Sequence, residues 1–391
     1  MNPTFGATDG PTPLERSPHP LAFATTAGDG SARPESERPQ ASYRAEVTGL
    51  GHFQKEGLVT DVTTGRSWRL TADEGRYLRG TDMAPAPLMH FAAGLHSDLT
   101  SRIVRIAESR GLTLSRLFVA LTQGFGSQGS FARGEAVALV GDLSWTIEIA
   151  SAASDDEVEV VVAEALATSP AHAAMTNAHE GVFALYTNGH RTPVVGVPQS
   201  DSPAEEDPFL AHTAAPEPLD INGGAKQILS KEPSNWPFYV ELSDDQKNSI
   251  LWHIEASGEY RFNTHTVATT VKFPNAGATH WTLISDDTSR TAPSPLAYFS
   301  IGTAFCYHTQ LCRYADVRRL PVDRPRLVQV STFTTSGTTA DSAPFDTHLF
   351  INGEVTTDQT ASLLTAAANT CYAHRGLGVE VASDRKIATD V

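Results

Sequence analysis

Apolar positions are patterned in two stretches of the chain, about 42–197 and 238–391, and nearly unpatterned elsewhere. Each stretch opens with strand-like alternation, at 42–48 and 251–257, followed by a second such run around Trp68 or Trp281. A period of two predicts strands, here grouped as a hairpin sheet. Paired prolines then precede a long run of apolar and small residues, 88–110 and 296–318. Proline at or before the first turn costs a helix nothing, because that N–H has no intrahelical acceptor, so each run predicts a central helix buried on most faces. Further strand at 145–149 and 347–352, then a second helix at 155–168 and 357–370, complete the order β-β-α-β-α. Grouped strands predict an α+β fold with two domains, 42–197 and 238–391.

The remaining stretches carry too few apolar residues to offset the entropy of ordering them. Residues 1–41 are expected to be a disordered tail, and 198–237, with its Ser-Asp-Ser-Pro-Ala-Glu-Glu-Asp-Pro run, a linker. One short docked piece is expected at 236–240.

The two stretches repeat each other. Ala84-Pro85-Ala86-Pro87-Leu88 matches Ala292-Pro293-Ser294-Pro295-Leu296, an offset of 208 residues that also pairs Phe91 with Phe299, Gly94 with Gly302 and Arg105 with Arg313. Upstream, Trp68-x-Leu70-x-x-Asp73 matches Trp281-x-Leu283-x-x-Asp286; downstream, Ser169-Pro170-Ala171-His172 matches Cys371-Tyr372-Ala373-His374. Composition bias produces single coincidences, but not a colinear series, so the pattern indicates an internal duplication.

Charge narrows the partners. With 29 Lys and Arg against 45 Asp and Glu the formal net charge is −16, which repels phosphate and anionic lipid. No nucleic-acid or membrane partner is expected. Residues 1–30 show no basic segment leading into an apolar one, so a cytoplasmic location is expected. Phosphate-loop, dinucleotide-fold and His-Glu-x-x-His motifs are absent, and the fourteen histidines are scattered, so neither a cofactor nor a metal is expected.

Three cysteines, Cys306, Cys312 and Cys371, match no zinc spacing. Cys306 and Cys312 lie six residues apart on one predicted helix, about 9 Å of rise and roughly 120° of rotation. Bridged cysteines need Cα atoms within about 7 Å, so these two cannot pair, and Cys312 reads as a small buried hydrophobe. His308, two residues beyond Cys306, points to another helix face.

The run Phe299-Ser300-Ile301-Gly302-Thr303-Ala304-Phe305-Cys306, followed some 65 residues later by Cys371-Tyr372-Ala373-His374, resembles the two cysteine motifs of the OsmC/Ohr family. The likeness covers both stretches and suggests a tandem, fused member: two OsmC-like domains, each an antiparallel sheet packed with a long central helix and a second helix, forming an internal pseudo-dimer. The resemblance implies that Cys306 attacks an organic hydroperoxide and Cys371 resolves the resulting sulfenic acid as a disulfide. An external dithiol such as a dihydrolipoyl group then reduces it. It implies a small, apolar substrate and a chain that acts as a monomeric pseudo-dimer or as a homodimer of it. The first copy has lost both thiols, since Asp98 stands at the place of Cys306 and Ser169 at that of Cys371. Neither can do thiol chemistry. Asp98 reads as a helix-face ion pair with Arg102, or as a group facing the other domain's site.

Several side chains are candidates for support. His374, three residues after Cys371, would lie beside both sulfurs if they meet, although His172 keeps its place in the thiol-free copy. Arg313 shares the helix face of Cys306 two turns on. Peroxide-reducing relatives carry a glutamate in the turn before the cysteine helix and an arginine in an early hairpin. Here Ser294 and Ala86 occupy the glutamate's place, and no arginine matches the pattern, Arg66 and Arg261 being no more than candidates. Two other readings stay open: a cysteine-dependent enzyme for one small molecule of sulfur or specialised metabolism, and a non-catalytic binder of apolar ligands.

Overall fold

The computed structural model describes residues 10–26, 40–51, 53–208, 216–219, 227–232, 250–274 and 280–389. Among them, the first half of the chain contains α1 (Pro13–Arg16), β1 (Ala22–Thr25), β2 (Gln40–Gly51), β3 (Gln54–Asp61), β4 (Ser67–Ala72), α2 (Pro87–Ser109), β5 (Leu114–Gln128), β6 (Val137–Ser151), α3 (Asp155–Thr168), α4 (Pro170–Thr176), β7 (Val182–Thr187) and β8 (His190–Thr192). The second contains β9 (Leu229–Glu232), β10 (Ile250–Arg261), β11 (Thr266–Lys272), β12 (His280–Ser285), α5 (Pro295–Val317), β13 (Val322–Ser336), β14 (Thr339–Ser342), β15 (Asp346–Gly353), α6 (Thr357–Thr370), α7 (Tyr372–Leu377) and β16 (Ser383–Ala388).

Both sheets draw strands from both halves. One runs β1-β4-β3-β2-β13-β15-β7-β8, with β14 on β13; the other runs β16-β6-β5-β10-β11-β12-β9. The seams are antiparallel: β2 meets β13 from Thr48↔Arg326 to Gln40↔Thr334, and β10 meets β5 through Ala256↔Leu121 and Glu259↔Phe118. Helix α2 packs on the strands β5, β10 and β11, while α5 packs on β13, β2 and β3, and the two helices pack on each other. The mixed α+β architecture thus places two central helices in one continuous apolar core.

Small residues make that helix contact possible. A Cβ on Gly94 would lie 2.3 Å from the Phe299 backbone nitrogen, and one on Gly302 would lie 2.3 Å from that of Phe91. The contact is reciprocal, with the Phe91 and Phe299 rings stacked between the helices at 4.6 Å. Pro87 and Pro295 begin the helices, one residue earlier than the sequence pattern places them.

Parts of the expected tail and linker carry structure. Within 1–41, β1 pairs with β4 from Ala22↔Leu70 to Thr25↔Ser67, and α1 is closed by a Thr12/Glu15 capping box. The Leu14 amide donates to Gln54 Oε1 at 2.9 Å. Within 198–237, β9 pairs with β12, Ser200 donates its amide to the Phe183 carbonyl at 2.7 Å, and Asp207 receives Arg326 at 2.7 Å. Each segment is too poor in apolar residues to fold alone and is ordered by the backbone groups of a sheet edge it covers. The piece expected at 236–240 lies outside the described residues. Residues 124–130 and 331–343, rich in Gly, Ser and Thr as loops are, nevertheless lie largely in β5, β13 and β14, because such residues are tolerated where a neighbouring strand supplies the ladder.

Candidate functional site

Cys306 lies about three turns inside α5. Ser294 starts that helix: its side-chain oxygen accepts from the Ala297 amide at 3.2 Å, ahead of Pro295 in the first turn. Cys371 stands between two helices, as the last cap of α6 and the first cap of α7. Because α6 and α7 both pack on α5, the helix junction carries Cys371 toward Cys306, near enough for the two thiols to act on each other electrostatically. Both are unoxidised and buried, at 3% and 0% exposure.

Burial pushes the Cys371 thiol well above its ordinary range, and the neighbouring Cys306 pushes it further. The amides of His374 and Ala373 at the start of α7 act the other way. His374 Nδ1 stands 3.3 Å from Cys371 Sγ, and its Nε2 stands 3.3 Å from Thr347 Oγ1. Enclosed by Phe183 and Tyr307, the imidazole is pushed down to about 3 by burial. It is therefore neutral, a hydrogen-bonding partner of Cys371 rather than a cation.

Tyr372 joins the thiols to a polar group. Burial raises its hydroxyl to about 12; Arg313 opposes this, while Cys306, Glu74 and Cys371 add to it, so all four act on one ring. Arg313 donates to Gln310 Oε1 at 2.8 Å and sits over the Phe131 ring at 4.6 Å. Thr309, one turn beyond Cys306, donates to Glu74 Oε1 at 2.7 Å and accepts from Lys55 Nζ at 3.0 Å. Tyr77 donates to the other Glu74 oxygen at 2.9 Å. Lys55 is wholly buried and also donates to the Phe53 carbonyl at 2.6 Å.

Lys55, Glu74, Tyr77 and Thr309 were not among the residues that sequence patterning selects. Lys55 and Glu74 come from the half that lacks cysteines, so no spacing relative to Cys306 points to them. A signal for Glu74 does exist: it follows Asp73 of the repeated Trp-x-Leu-x-x-Asp motif, as Asp287 follows Asp286.

Other candidates lie elsewhere. Ser294 is occupied as a helix cap and donates its hydroxyl to Tyr43 at 3.0 Å. Arg66 donates to the Thr288 carbonyl, and Arg261 is exposed at the end of β10; no contact places either at the thiols. Asp98 faces its own half: its Oδ2 accepts from Ser169 Oγ at 2.6 Å and from the Ala171 amide at 3.2 Å. Arg102 acts on it electrostatically but makes no helix-face ion pair with it, because Asp98 is turned toward the start of α4. His172 sits at a like position to His374, yet its Nε2 meets Ser383 Oγ at 2.9 Å. His308 donates to the Pro325 carbonyl at 2.9 Å and stands 3.6 Å from Cys312, whose thiol burial pushes up to about 12. Among the described residues no cluster of three or more His, Cys, Asp or Glu side chains has a metal-binding arrangement, and no helix is long and apolar enough to cross a membrane.

Fold and site together define an α+β protein with a buried dithiol at the junction of three helices. No family model and no curated protein matches the chain. Among solved structures, an OsmC-like hydroperoxide resistance protein from Jannaschia sp. CCS1 is similar at 18% identity over 34% of this chain and 85% of that one, with a TM-score of 0.22.

Proposed function

We propose that the chain is a thiol-dependent, peroxidase-like oxidoreductase that reduces organic hydroperoxides through Cys306 and Cys371, in a fused pair of OsmC-like domains. The observation that carries this reading is that the fold brings together, at one helix junction, two buried free thiols 65 positions apart in sequence. A structural thiol needs only apolar neighbours; two neighbouring thiols can form a disulfide where their Cα atoms come within about 7 Å.

The roles divide by proton. Burial keeps the proton on Cys371, which gives that residue the resolving step and leaves the attack to Cys306. Its thiolate displaces alkoxide from the peroxide oxygen, giving Cys306 sulfenic acid and, after protonation, an alcohol. Cys371 then condenses with that sulfenic acid, releasing water and leaving a disulfide. An external dithiol returns both sulfurs to thiols by exchange and is itself oxidised. Arg313, Gln310 and the Lys55–Thr309–Glu74 chain supply the polar side of the site, and Phe125, Phe131 and Tyr372 supply the apolar side that suits an organic peroxide.

Thiol counting with mass mapping after one equivalent of cumene hydroperoxide tests the reading. The expected result is loss of two free thiols with a Cys306–Cys371 crosslink, and turnover when dihydrolipoamide is added. Three free thiols after the treatment would remove the peroxidase assignment.

A further inference from the structure

The two halves use the histidine after the helix junction differently. The offset of 202 residues that carries α3 onto α6 also carries Ser169 onto Cys371, His172 onto His374 and Trp145 onto Thr347. In the thiol-free half Ser169 gives its hydroxyl to Asp98 and accepts the His172 amide at 3.2 Å. The His172 ring turns to Ser383 Oγ at 2.9 Å, with its centroid 6.5 Å from that of Trp145. In the thiol half Cys371 makes no side-chain cap on α7, and the His374 ring bridges two side chains instead. Its Nδ1 stands 3.3 Å from Cys371 Sγ and its Nε2 3.3 Å from Thr347 Oγ1. The half that has the thiol is thus the half that has a hydroxyl on the far side of the imidazole.

This series orders the protons. With the thiol protonated, Sγ donates to Nδ1, so the ring hydrogen is on Nε2 and is donated to Thr347 Oγ1. Thr347 therefore fixes the tautomer, which a tryptophan, with no acceptor on its side chain, could not do. The Phe183 and Tyr307 rings, with centroids 5.5 and 5.1 Å from that of His374, hold its plane. Cys371, His374 and Thr347 are all buried, so water does not compete for their hydrogen bonds. A nucleophile, a base and a group that orients the base, in reach of one another, are the parts that activate a weak nucleophile.

We propose that His374 is a catalytic residue of the resolving step, taking the proton of Cys371 as that sulfur attacks Cys306, and that Thr347 is the positioning residue that fixes its tautomer. This role rests on the peroxidase reading of the site. As the S–S bond forms, the Sγ–H bond of Cys371 breaks and its proton passes to His374 Nδ1. The S–O bond of the Cys306 sulfenic acid breaks at the same time, and the departing hydroxide takes the proton from the imidazolium and leaves as water. The sulfenic sulfur is reduced and the Cys371 sulfur oxidised, both to the disulfide level, so no further oxidant is consumed. Hydroxide, the final acceptor, is a far stronger base than a thiolate, so the imidazole has only to carry the proton and returns to its neutral form. Burial of Cys371 does not obstruct the step, because the group it attacks belongs to the same chain.

Single-turnover kinetics of the full chain with one equivalent of cumene hydroperoxide test it. Samples quenched at intervals with a cyclic 1,3-dione are mass-mapped for sulfenic acid at residue 306 and for its crosslink to Cys371. His374→Asn sets an amide where Nδ1 stands, a group that accepts a hydrogen bond but cannot carry the proton. It is expected to form the sulfenic acid as fast as the parent and to close the disulfide about tenfold or more slowly, so that trapped sulfenic acid accumulates. Thr347→Val, of the same shape without the hydroxyl, is expected to slow closure, and Thr347→Ser to restore it. Thermal melts verify each fold, and the Thr347 pair decides if His374→Asn does not fold. Closure at the parent's rate in folded His374→Asn or folded Thr347→Val would overturn the proposal and leave the peroxidase reading standing. A parent that forms no sulfenic acid would remove both.

Discussion

Ser169 donates a 2.6 Å hydrogen bond to Asp98 at the repeat positions where the other half brings Cys371 to Cys306. The same helix-to-helix junction is closed by a carboxylate and a hydroxyl in one half and by two thiols in the other. The Asp98 oxygen also receives the Ala171 amide, so Asp98→Ala strands two buried donors. At about 1–3 kcal/mol for each unsatisfied group, the variant is expected to lose about 2–6 kcal/mol. Asp98→Asn keeps one carbonyl oxygen and is expected to lose less. Urea denaturation of the two variants checks the order; equal losses would mean the oxygen's hydrogen bonds contribute nothing.

The division of roles between the thiols predicts different chemistry for the two serine variants. Cys306→Ser is expected to lose all peroxide consumption. Cys371→Ser is expected to react once and stop, holding a sulfenic acid at residue 306 that a cyclic 1,3-dione traps, with no crosslink. Mass mapping distinguishes them, and a sulfenic acid at residue 371 instead would reverse the assignment.

Two features of the site were legible in the sequence and one was not. Paired prolines located the central helices to within a residue, and the Cys-x-x-His turn placed His374 beside Cys371, because a cap and its third residue are near each other whatever the tertiary fold. The repeated motif marks the place of Glu74, but that Glu74 and Lys55 reach the cysteine helix was not legible, since it depends on strands of one half entering the sheet of the other. Edge strands were missed for a related reason: β1 contains Ala22-Phe23-Ala24-Thr25, too short to show a period, and its order comes from β4. Removing residues 1–26 therefore uncovers β4 and the Gln54 contact, and is expected to lower the melting temperature by several degrees; an unchanged melt would make this segment a passenger.

Reciprocal glycines at the helix crossing predict a steep steric cost. In either Gly94→Ala or Gly302→Ala the added methyl meets backbone, which cannot rotate aside, at 2.3 Å. Each substitution is expected to cost more than about 3 kcal/mol despite the better helix propensity of alanine. Thermal melts should show both variants far below the parent, while Gly65→Ala on an open turn loses only what its positive φ requires.

Acid should unfold this protein earlier than its carboxylates alone would dictate. Burial holds five histidines neutral in the fold: His90, His308 and His374 are pushed down to about 3, and His96 and His172 to about 4. In the unfolded chain each titrates near 6.5, so below that pH the unfolded state binds the extra protons. The stability these histidines contribute is present above about 6.5 and is lost as pH falls toward 4. Asp73 works the other way. Burial raises it to about 6, so between about 4 and 6 the fold binds one proton that the unfolded chain does not. Four protons net, at about 1.4 kcal/mol per pH unit each, set an upper slope of about 5–6 kcal/mol per unit near pH 5. A fold of ordinary stability, about 5–15 kcal/mol, cannot withstand that slope for more than two or three units. Urea midpoints followed by circular dichroism are expected to fall steadily from pH 7 to pH 5, and His96→Gln, which removes one such group, should flatten the decline. A midpoint constant across that interval would mean that the buried histidines take up protons without unfolding.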